Sequence, residues 1–461
     1  MTGRDLPGQG LTGQGATAPL SFAQEGCWHL SRLLPDDTSY NIRAGLRLRG
    51  ELDVEALRRA LADRIARQEI LRTTYHESDG GAPVQVVGGL PATVLLELDL
   101  GYVPPDCRES EAMRLVLAEV DRPIDLTAGP VHRTVLVRLS PSEHLLVQVS
   151  HHIAVDWLSS IVADWELGTL YAAHAAGRTA ELPPLRAQYR HYAERERAHA
   201  GGPAMRRGLG YWRTKLAGAP GGPRVCPGYR DPAAAVLEAA MVKFPLPTDA
   251  MRRLIALARA ERTTPFVVTL ATWAATLFRH TGQDDMVLVS DVSTRANSQF
   301  EGLIGMFVNA IALRVQTDGG LSFRQLVARV RRTVMESVMH AVPFQRIVEE
   351  SHSGRDWGWD WKHLNHLGFV VHPYGTESSR RAGPDWGLEL RWLSVPVARS
   401  HVELNMHLVT TLGGDWWGHL TYRPRTMPAA AAARLAGGYA TLVAEASQEP
   451  DAPLARLACE A

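Results

Sequence analysis

Two adjacent histidines, with an aspartate four residues after the second, are the part of this sequence best suited to chemistry: His151-His152-Ile153-Ala154-Val155-Asp156. An imidazole changes charge near neutral pH and can take, hold or hand on a proton. The elements around the motif must position it. His144 to Val149 is a short apolar run rich in β-formers, which predicts a buried strand. From Trp157 through Leu170-Tyr171 the apolar residues recur at helical spacing, and Gly177 marks the end. The motif thus falls on a strand-to-helix connection, where a rigid scaffold can hold reactive groups. Neighbouring residues at a strand end point to opposite faces, so one histidine is expected to face a cavity while the other packs inward. The same spacing also fits two ordinary polar residues, with Asp156 capping the following helix. Both readings stay open on the residues alone. Zinc is the weaker match, because adjacent histidines seldom share one ion and no Cys- or His-rich segment lies nearby.

Composition narrows the class. The 461 residues suffice for two or three domains, and 49 basic residues balance 49 acidic ones. Zero formal charge leaves no electrostatic footprint for nucleic acid or an anionic membrane. Cys27, Cys107, Cys226 and Cys459 are too dispersed for a disulfide framework or a metal site, which suits a reducing cytoplasm. The start, Met1-Thr2-Gly3-Arg4, lacks an apolar signal core, and the apolar run Phe266 to Phe278 is too short to span a bilayer.

Along the chain, residues 1–19 are rich in Gly, Thr and Gln and are expected to be disordered. Ser21 with Gln24 has the capping-box pattern of a helix start. Residues 44–50 alternate like a strand, Asp53 to Arg67 is amphipathic with Leu57, Leu61 and Ile65 on one stripe, and Thr73 to Tyr75 returns to strand. Residues 76–130 are weakly patterned, and Val131 to Leu139 predicts a strand. Residues 20–180 form a first lobe. Residues 181–220, rich in Arg, Ala, Gly and Pro with interleaved tyrosines, form a helical linker. In a second lobe, 221–461, the pattern gives a strand at 242–246, helices at 248–262 and 265–279, a strand at 286–290, a polar loop, apolar strand character over 304–314, and an amphipathic helix at 321–338.

Several stretches carry a resemblance to the condensation domains of nonribosomal peptide synthetases. His151 to Trp157 resembles that family's His-His-x-x-x-Asp-Gly motif, with Trp157 in place of Gly. Ser21 to Leu30 and Arg67 to Tyr75 are similar to its first two core motifs, with Gly26-Cys27 for Arg-Leu and Gln68 where His is common. Tyr189-Arg190-His191-Tyr192 matches a tyrosine-containing motif, Gly302 to Arg314 a Gly-x-Phe-Val-Asn motif, and Met339 to Phe344 a Pro-Phe motif in which Ala341 replaces an acid. Arg355-Asp356 fits the last motif loosely, and Pro450 to Leu457 resembles the close of such a domain.

That resemblance implies an α/β fold of two chloramphenicol acetyltransferase-like lobes with mixed sheets, arranged as a V-shaped pseudo-dimer with a central tunnel. It implies amide formation between an acyl thioester on a donor peptidyl carrier protein and an amine on an acceptor carrier protein. Both substrates would arrive on phosphopantetheine arms, with no cofactor or metal held by the domain and an adenylation domain as a possible neighbour. It assigns the catalytic role to His152 and structural roles to His151, Asp156 and Arg295, the last two as an ion pair. Trp157 and Asn309 become candidates for shaping the tunnel. Two rival readings accompany it: a catalytically silent docking module, suggested by Trp157, and a free-standing acyltransferase making an ester or amide with a non-carrier acceptor, which the Met1 start permits. Epimerisation, on a related fold, ranks below these.

Overall fold

The computed structural model describes residues 15–220, 222–233, 237–295, 297–352, 367–372, 386–411 and 414–459. In chain order its elements are β1 (Thr17–Pro19), α1 (Phe22–Leu33), β2 (Asn41–Arg49), α2 (Val54–Arg67), β3 (Thr73–Glu77), β4 (Pro83–Val87), β5 (Leu96–Asp99), α3 (Pro105–Val120), β6 (His132–Ser140), β7 (Glu143–His151), α4 (Trp157–Ala175), α5 (Tyr189–Ala198) and α6 (Pro203–Leu216). They continue with β8 (Ala240–Pro245), α7 (Thr248–Ala260), α8 (Pro265–Thr281), β9 (Asp285–Ser293), β10 (Val308–Gln316), α9 (Phe323–Met339), α10 (Phe344–His352), β11 (Leu367–His372), β12 (Glu389–Leu393), β13 (Leu404–Thr410), β14 (Trp416–Tyr422) and α11 (Ala429–Gln448).

The chain divides into two compact units. The first holds residues up to Ala200 together with Ser293–Val308 and Arg380–Pro396, and the second holds the remainder. Two stretches expected in the second lobe therefore pack with the first unit. Strand β1 lies within the segment expected to be disordered, and the rest of that expectation, residues 1–14, lies outside the described residues, as does Arg355-Asp356.

The first unit is built on a five-stranded sheet in the order β12-β2-β7-β6-β5, with a three-stranded antiparallel sheet β1-β4-β3 beside it. Strand β7 sits in the middle, antiparallel to β2 and β6, and is buried at every residue from His144 to His151. Leu145, Val147 and Val149 enter one core and Leu146 another, so both faces of the strand are covered. Helix α1 starts with the expected capping box: the Gln24 N–H donates to Ser21 Oγ and the Ser21 N–H donates to Gln24 Oε1, both 3.1 Å. Helix α2 is capped by Asp53 and buries Leu57, Leu61 and Ile65.

One sequence expectation fails. Ile304 to Phe307 is apolar but is not strand, and β10 begins only at Val308. Leu303, Ile304 and Phe307 are buried in the first unit's core with Tyr189 and Tyr192, so their hydrophobicity reports burial of a loop rather than sheet pairing.

The second unit carries a mixed six-stranded sheet in the order β10-β9-β11-β13-β14-β8. One face packs on α7, α8, α9 and α11 through residues such as Leu254, Trp273, Leu326, Met406, Leu420 and Leu435. Thr264 caps α8, Pro265 occupies its first turn, and Gly282 ends it at φ 72°, a left-handed conformation that glycine adopts without a Cβ penalty. On the other face of the sheet lie His372, His407 and His419. All three are half-buried, and burial together with basic neighbours pulls them to about 4, 3 and 4. Free imidazole titrates near 6.5, so the folded chain binds fewer protons here than the unfolded chain does. Stability is therefore whole above pH 6.5 and is lost as pH falls from there toward 4. The Tm of the wild type should drop more between pH 7 and pH 5 than that of His407→Gln, measured by differential scanning calorimetry. Equal drops would mean the imidazole is solvated.

Candidate active site

The motif loop is pinned by backbone bonds before any side chain acts. The His151 N–H donates to the Val131 carbonyl (2.9 Å) and the His152 N–H to the Tyr40 carbonyl (2.8 Å), while the Asp156 N–H reaches the Gly305 carbonyl at 3.1 Å. Gln24, from α1, donates through Nε2 to the Ile153 carbonyl and to the Tyr75 hydroxyl, both 3.2 Å.

His151 is buried at 4% exposure, and its Nδ1 accepts the Ile153 N–H at 3.1 Å, which leaves the ring proton on Nε2. His152 is half-buried, with its ring edge-on to Tyr40 at 6.0 Å between centroids. Its Nδ1 is buried and meets no hydrogen-bond partner among the described residues. The two neighbours thus differ as alternation at a strand end demands: one is tied into the loop, and the other keeps a partly exposed ring.

Asp156 is fully buried. Oδ1 accepts the Ser159 N–H at 2.6 Å, so Asp156 is indeed the N-cap of α4, and Oδ2 accepts the Phe307 N–H at 2.9 Å. Arg295 approaches Oδ1 through Nη2 at 3.4 Å. One carboxylate thus both caps α4 and faces the Arg295 guanidinium. Arg295 also donates to Ser159 Oγ (2.6 Å) and through Nη1 to the Phe300 and Leu303 carbonyls (both 2.8 Å), with its guanidinium 4.0 Å from the Phe307 ring centroid. Burial lowers the Arg295 pKa, and the Asp156 charge opposes that shift.

Trp157 is the first residue of α4, half-buried and not part of the hydrophobic cores. Asn309, on β10, spends both ends of its amide on the backbone of the Pro-Phe segment: Nδ2 donates to the Val342 carbonyl and Oδ1 accepts the Phe344 N–H, each 2.8 Å. The geometry makes it a clamp for residues 342–344.

Several supporting residues carry no signal that spacing could have exposed. Ser159 Oγ accepts the Gly305 N–H at 2.9 Å and donates to the Gly305 carbonyl at 2.6 Å. Tyr189 donates to the Met306 carbonyl at 2.6 Å, and a Cβ on Gly305 would sit 2.0 Å from its ring, so only glycine fits there. Ser150 meets His132 Nδ1 at 2.7 Å, and His132 Nε2 meets the fully buried Arg64 at 2.9 Å. Burial brings Arg64 down to about 10 and pushes His132 well below the usual imidazole range. Among the described residues no cluster of His, Cys, Asp and Glu could hold a metal ion, and no helix is long and apolar enough to cross a membrane.

Removing the Asp156 carboxylate would strand Arg295 and two backbone N–H groups in the interior. Asp156→Ala should cost about 3–5 kcal/mol in urea unfolding. In a double-mutant cycle, Asp156→Ala with Arg295→Met should cost less than the sum of the two singles, because neither charge is then left alone. Strict additivity would disprove the coupling.

The same fold recurs in known proteins. The family model "Condensation domain" matches residues 14–457. The chain is 34% identical over 442 residues to a linear gramicidin synthase of Brevibacillus parabrevis, covering 95% of this chain and 6% of that protein. It is 37% identical over 338 residues to phosphinothricin tripeptide synthetase PhsC of Streptomyces viridochromogenes, covering 73% of this chain and 31% of that one. It therefore spans only a small part of these relatives. Among solved structures, the X-domain from teicoplanin biosynthesis superposes with a TM-score of 0.80 at 25% identity, over 95% of this chain and 97% of that one. The first condensation domain of the calcium-dependent antibiotic synthetase gives 0.80 at 21% identity, over 97% and 100%. The two mixed-sheet units have the chloramphenicol acetyltransferase-like fold of these domains, and the chain belongs to the condensation-domain family of nonribosomal peptide synthetases.

Proposed function

We propose that this chain joins an acyl or aminoacyl thioester on one carrier protein to the amine on another, making an amide and releasing the thiol of the donor's phosphopantetheine arm. The observation that carries the reading is His152: a partly exposed imidazole whose backbone is fixed by Tyr40, inside a motif whose aspartate keeps all its partners.

The chemistry needs an amine without its extra proton and a home for the proton shed after attack. An α-ammonium of pKa about 8 is mostly protonated at neutral pH. His152 holds the amine by a hydrogen bond, receives its proton as nitrogen attacks the thioester carbonyl, and passes it to the departing sulfur, so atoms and charge balance. His151, bonded into the loop, keeps His152 in register. Asp156 and Arg295 hold the 293–308 segment against the start of α4 and do not react. The adenylation domain and carrier proteins are partners in this reading, as the synthetase relatives suggest.

A docking role is the second reading. Trp157 favours it, as an indole where the family has glycine, and so does the complex of the teicoplanin X-domain, which shares this fold, with OxyB. The two readings part in one assay. Loaded donor and acceptor carrier proteins are mixed with wild type or His152→Ala, and the acceptor is followed by intact mass. The amide-forming reading expects extension by wild type and a fall of roughly 10²–10⁴-fold in the variant. If no donor and acceptor pair is extended while the carriers still bind, docking replaces it.

A further inference from the structure

The helix-covered face of the first unit's sheet changes character toward the histidine motif. Far from the motif, Leu46, Leu48, Leu136 and Leu146 pack with residues of α2 and α4. Nearer to it, the same face presents Gln148 and Ser150 of β7, with Thr134 and His132 opposite them on β6. Between this polar layer and the two helices lies a cavity of about 30 Å³. Arg64, His132, Gln148 and Ser150 form its buried floor, and Ser160 and Asp164 of α4 stand half-buried at its rim. The His152 N–H bond to the Tyr40 carbonyl carries the β2–β7 ladder one residue past the strand. Alternation therefore sends His152 to the side of the sheet on which Ser150 and the cavity lie.

The lining has spare hydrogen-bonding capacity of a definite kind. Arginine only donates, so His132 Nε2 accepts from Arg64, and the ring proton sits on Nδ1 and is given to Ser150 Oγ. The Ser150 hydroxyl, already accepting, keeps its own proton to give. Arg64 uses Nη1 on the Ala163 carbonyl at 3.2 Å and Nη2 on His132, while its buried Nε–H has no partner among the described residues. A buried donor of this kind is normally paired. At the rim, Ser160 Oγ donates to the Asp156 carbonyl at 3.2 Å, which leaves the oxygen able to accept. The charges are balanced: Asp164 and Glu166 both act on Arg64, Arg67 pairs with Glu166, and burial beside Arg64 keeps His132 neutral. A guest here is therefore uncharged, takes two hydrogen bonds and gives one. A hydroxyl does that. One water-sized group fills about 10–15 Å³ of such space, so the cavity takes roughly two heavy atoms.

We propose that this cavity receives a hydroxymethyl side chain, that of a seryl group, on one of the two substrates joined beside His152. The inference rests on the amide-forming reading and narrows it to a substrate class. Arg64 Nε–H and the Ser150 hydroxyl donate to the guest oxygen, and the guest's own proton goes to Ser160 Oγ. An alanyl group offers those donors nothing, and the additional methyl of a threonyl group exceeds the room.

The test is the carrier-to-carrier transfer assay with seryl, alanyl and threonyl groups. They are placed first on the donor with a glycyl acceptor, then on the acceptor with a glycyl donor. On one side seryl should exceed both others by about tenfold in kcat/KM, and that side is the source of the guest. Ser160→Val, which fills the space, should erase the preference. Ser160→Ala, which keeps the space and removes the acceptor, should reduce it to a few-fold. A ratio of rates within one preparation does not depend on how much of a variant is folded. Equal rates for the three groups on both sides would mean an ordered water only, and would overturn the proposal. A seryl preference that Ser160→Val leaves intact would overturn it too. Binding of seryl and alanyl pantetheine amides, followed by isothermal titration calorimetry, separates the two readings. A preference of about tenfold for the seryl amide that Ser160→Val removes, without transfer of any group, sinks the amide-forming reading alone. Equal binding of the two amides together with equal transfer rates sinks the seryl cavity and leaves amide formation standing.

Discussion

The first unit depends on one buried carboxylate. Asp156 sits where β7 has ended and α4 has not yet begun, shut away from solvent. An unpaired carboxylate there would cost several kcal/mol. It is tolerated because each oxygen has backbone to bind, Ser159 N–H on one side and Phe307 N–H on the other, with the Arg295 guanidinium completing the set. Ser159 belongs to the helix and Phe307 to a loop about 150 positions further along. One side chain therefore closes a helix end and a long-range contact together. The ion pair itself is long at 3.4 Å, and Arg295 is held more closely by Ser159 Oγ and two carbonyls. The hydrogen bonds, more than the Coulomb attraction, give the frame its geometry.

The rest of the 293–308 segment is secured in the same way, by side chains that meet several backbone groups each. Gln68 shows why residue type matters. Its Nε2 donates to Glu166 Oε1 (2.9 Å) and to the Gly302 carbonyl (3.0 Å), while Oε1 accepts the Ile304 N–H at 3.1 Å. A carboxamide offers two donors and an acceptor, whereas a neutral imidazole offers one of each. Glutamine in a position where the family commonly has histidine thus makes three bonds that a histidine could not all supply. Glu166 is in turn paired with Arg67 at 2.8 Å, although its burial still raises its pKa. Departures from a family pattern such as Gln68 read as local rewiring of a buried network.

How much of this was legible in the sequence depended on range. Local signals held: the Ser21 and Gln24 capping box, the stripe of α2, Thr264-Pro265 at the start of α8, and the strand and helix flanking the histidines. The Asp156 and Arg295 pairing entered through resemblance, since no periodicity connects positions 139 apart. The clamp that Asn309 forms on residues 342–344 had no signal in the sequence, because a side chain's partner is set by the register of a distant turn. Ile304 to Phe307 misled because burial, and not strand pairing, makes a segment apolar. Strands β4 and β5 and helix α3 lie in a stretch where polar and apolar residues alternate with neither period, and β12 joins β2 in the first unit's sheet while β11 and β13 pair with each other, a partnership that no local pattern encodes. The polar face of the second sheet was invisible for the same reason: its histidines come from three separate strands.

His152, the proposed proton carrier, differs from the histidine of a hydrolytic triad in what stands behind it. In hydrolytic triads an acid on the second nitrogen fixes the tautomer and supports the imidazolium. Here Nδ1 is buried with no such partner among the described residues, so orientation must come from elsewhere. It comes from the backbone bond to Tyr40, the edge-on Tyr40 ring, and a loop held at Ile153 by Gln24 and at Asp156 by Gly305. A group placed this way is suited to holding an amine at a set distance and moving its proton briefly. Its proposed catalysis then rests on the rigidity of the frame, and so on Asp156: in the proposed reaction the carboxylate only fixes the end of the loop from which the imidazole projects.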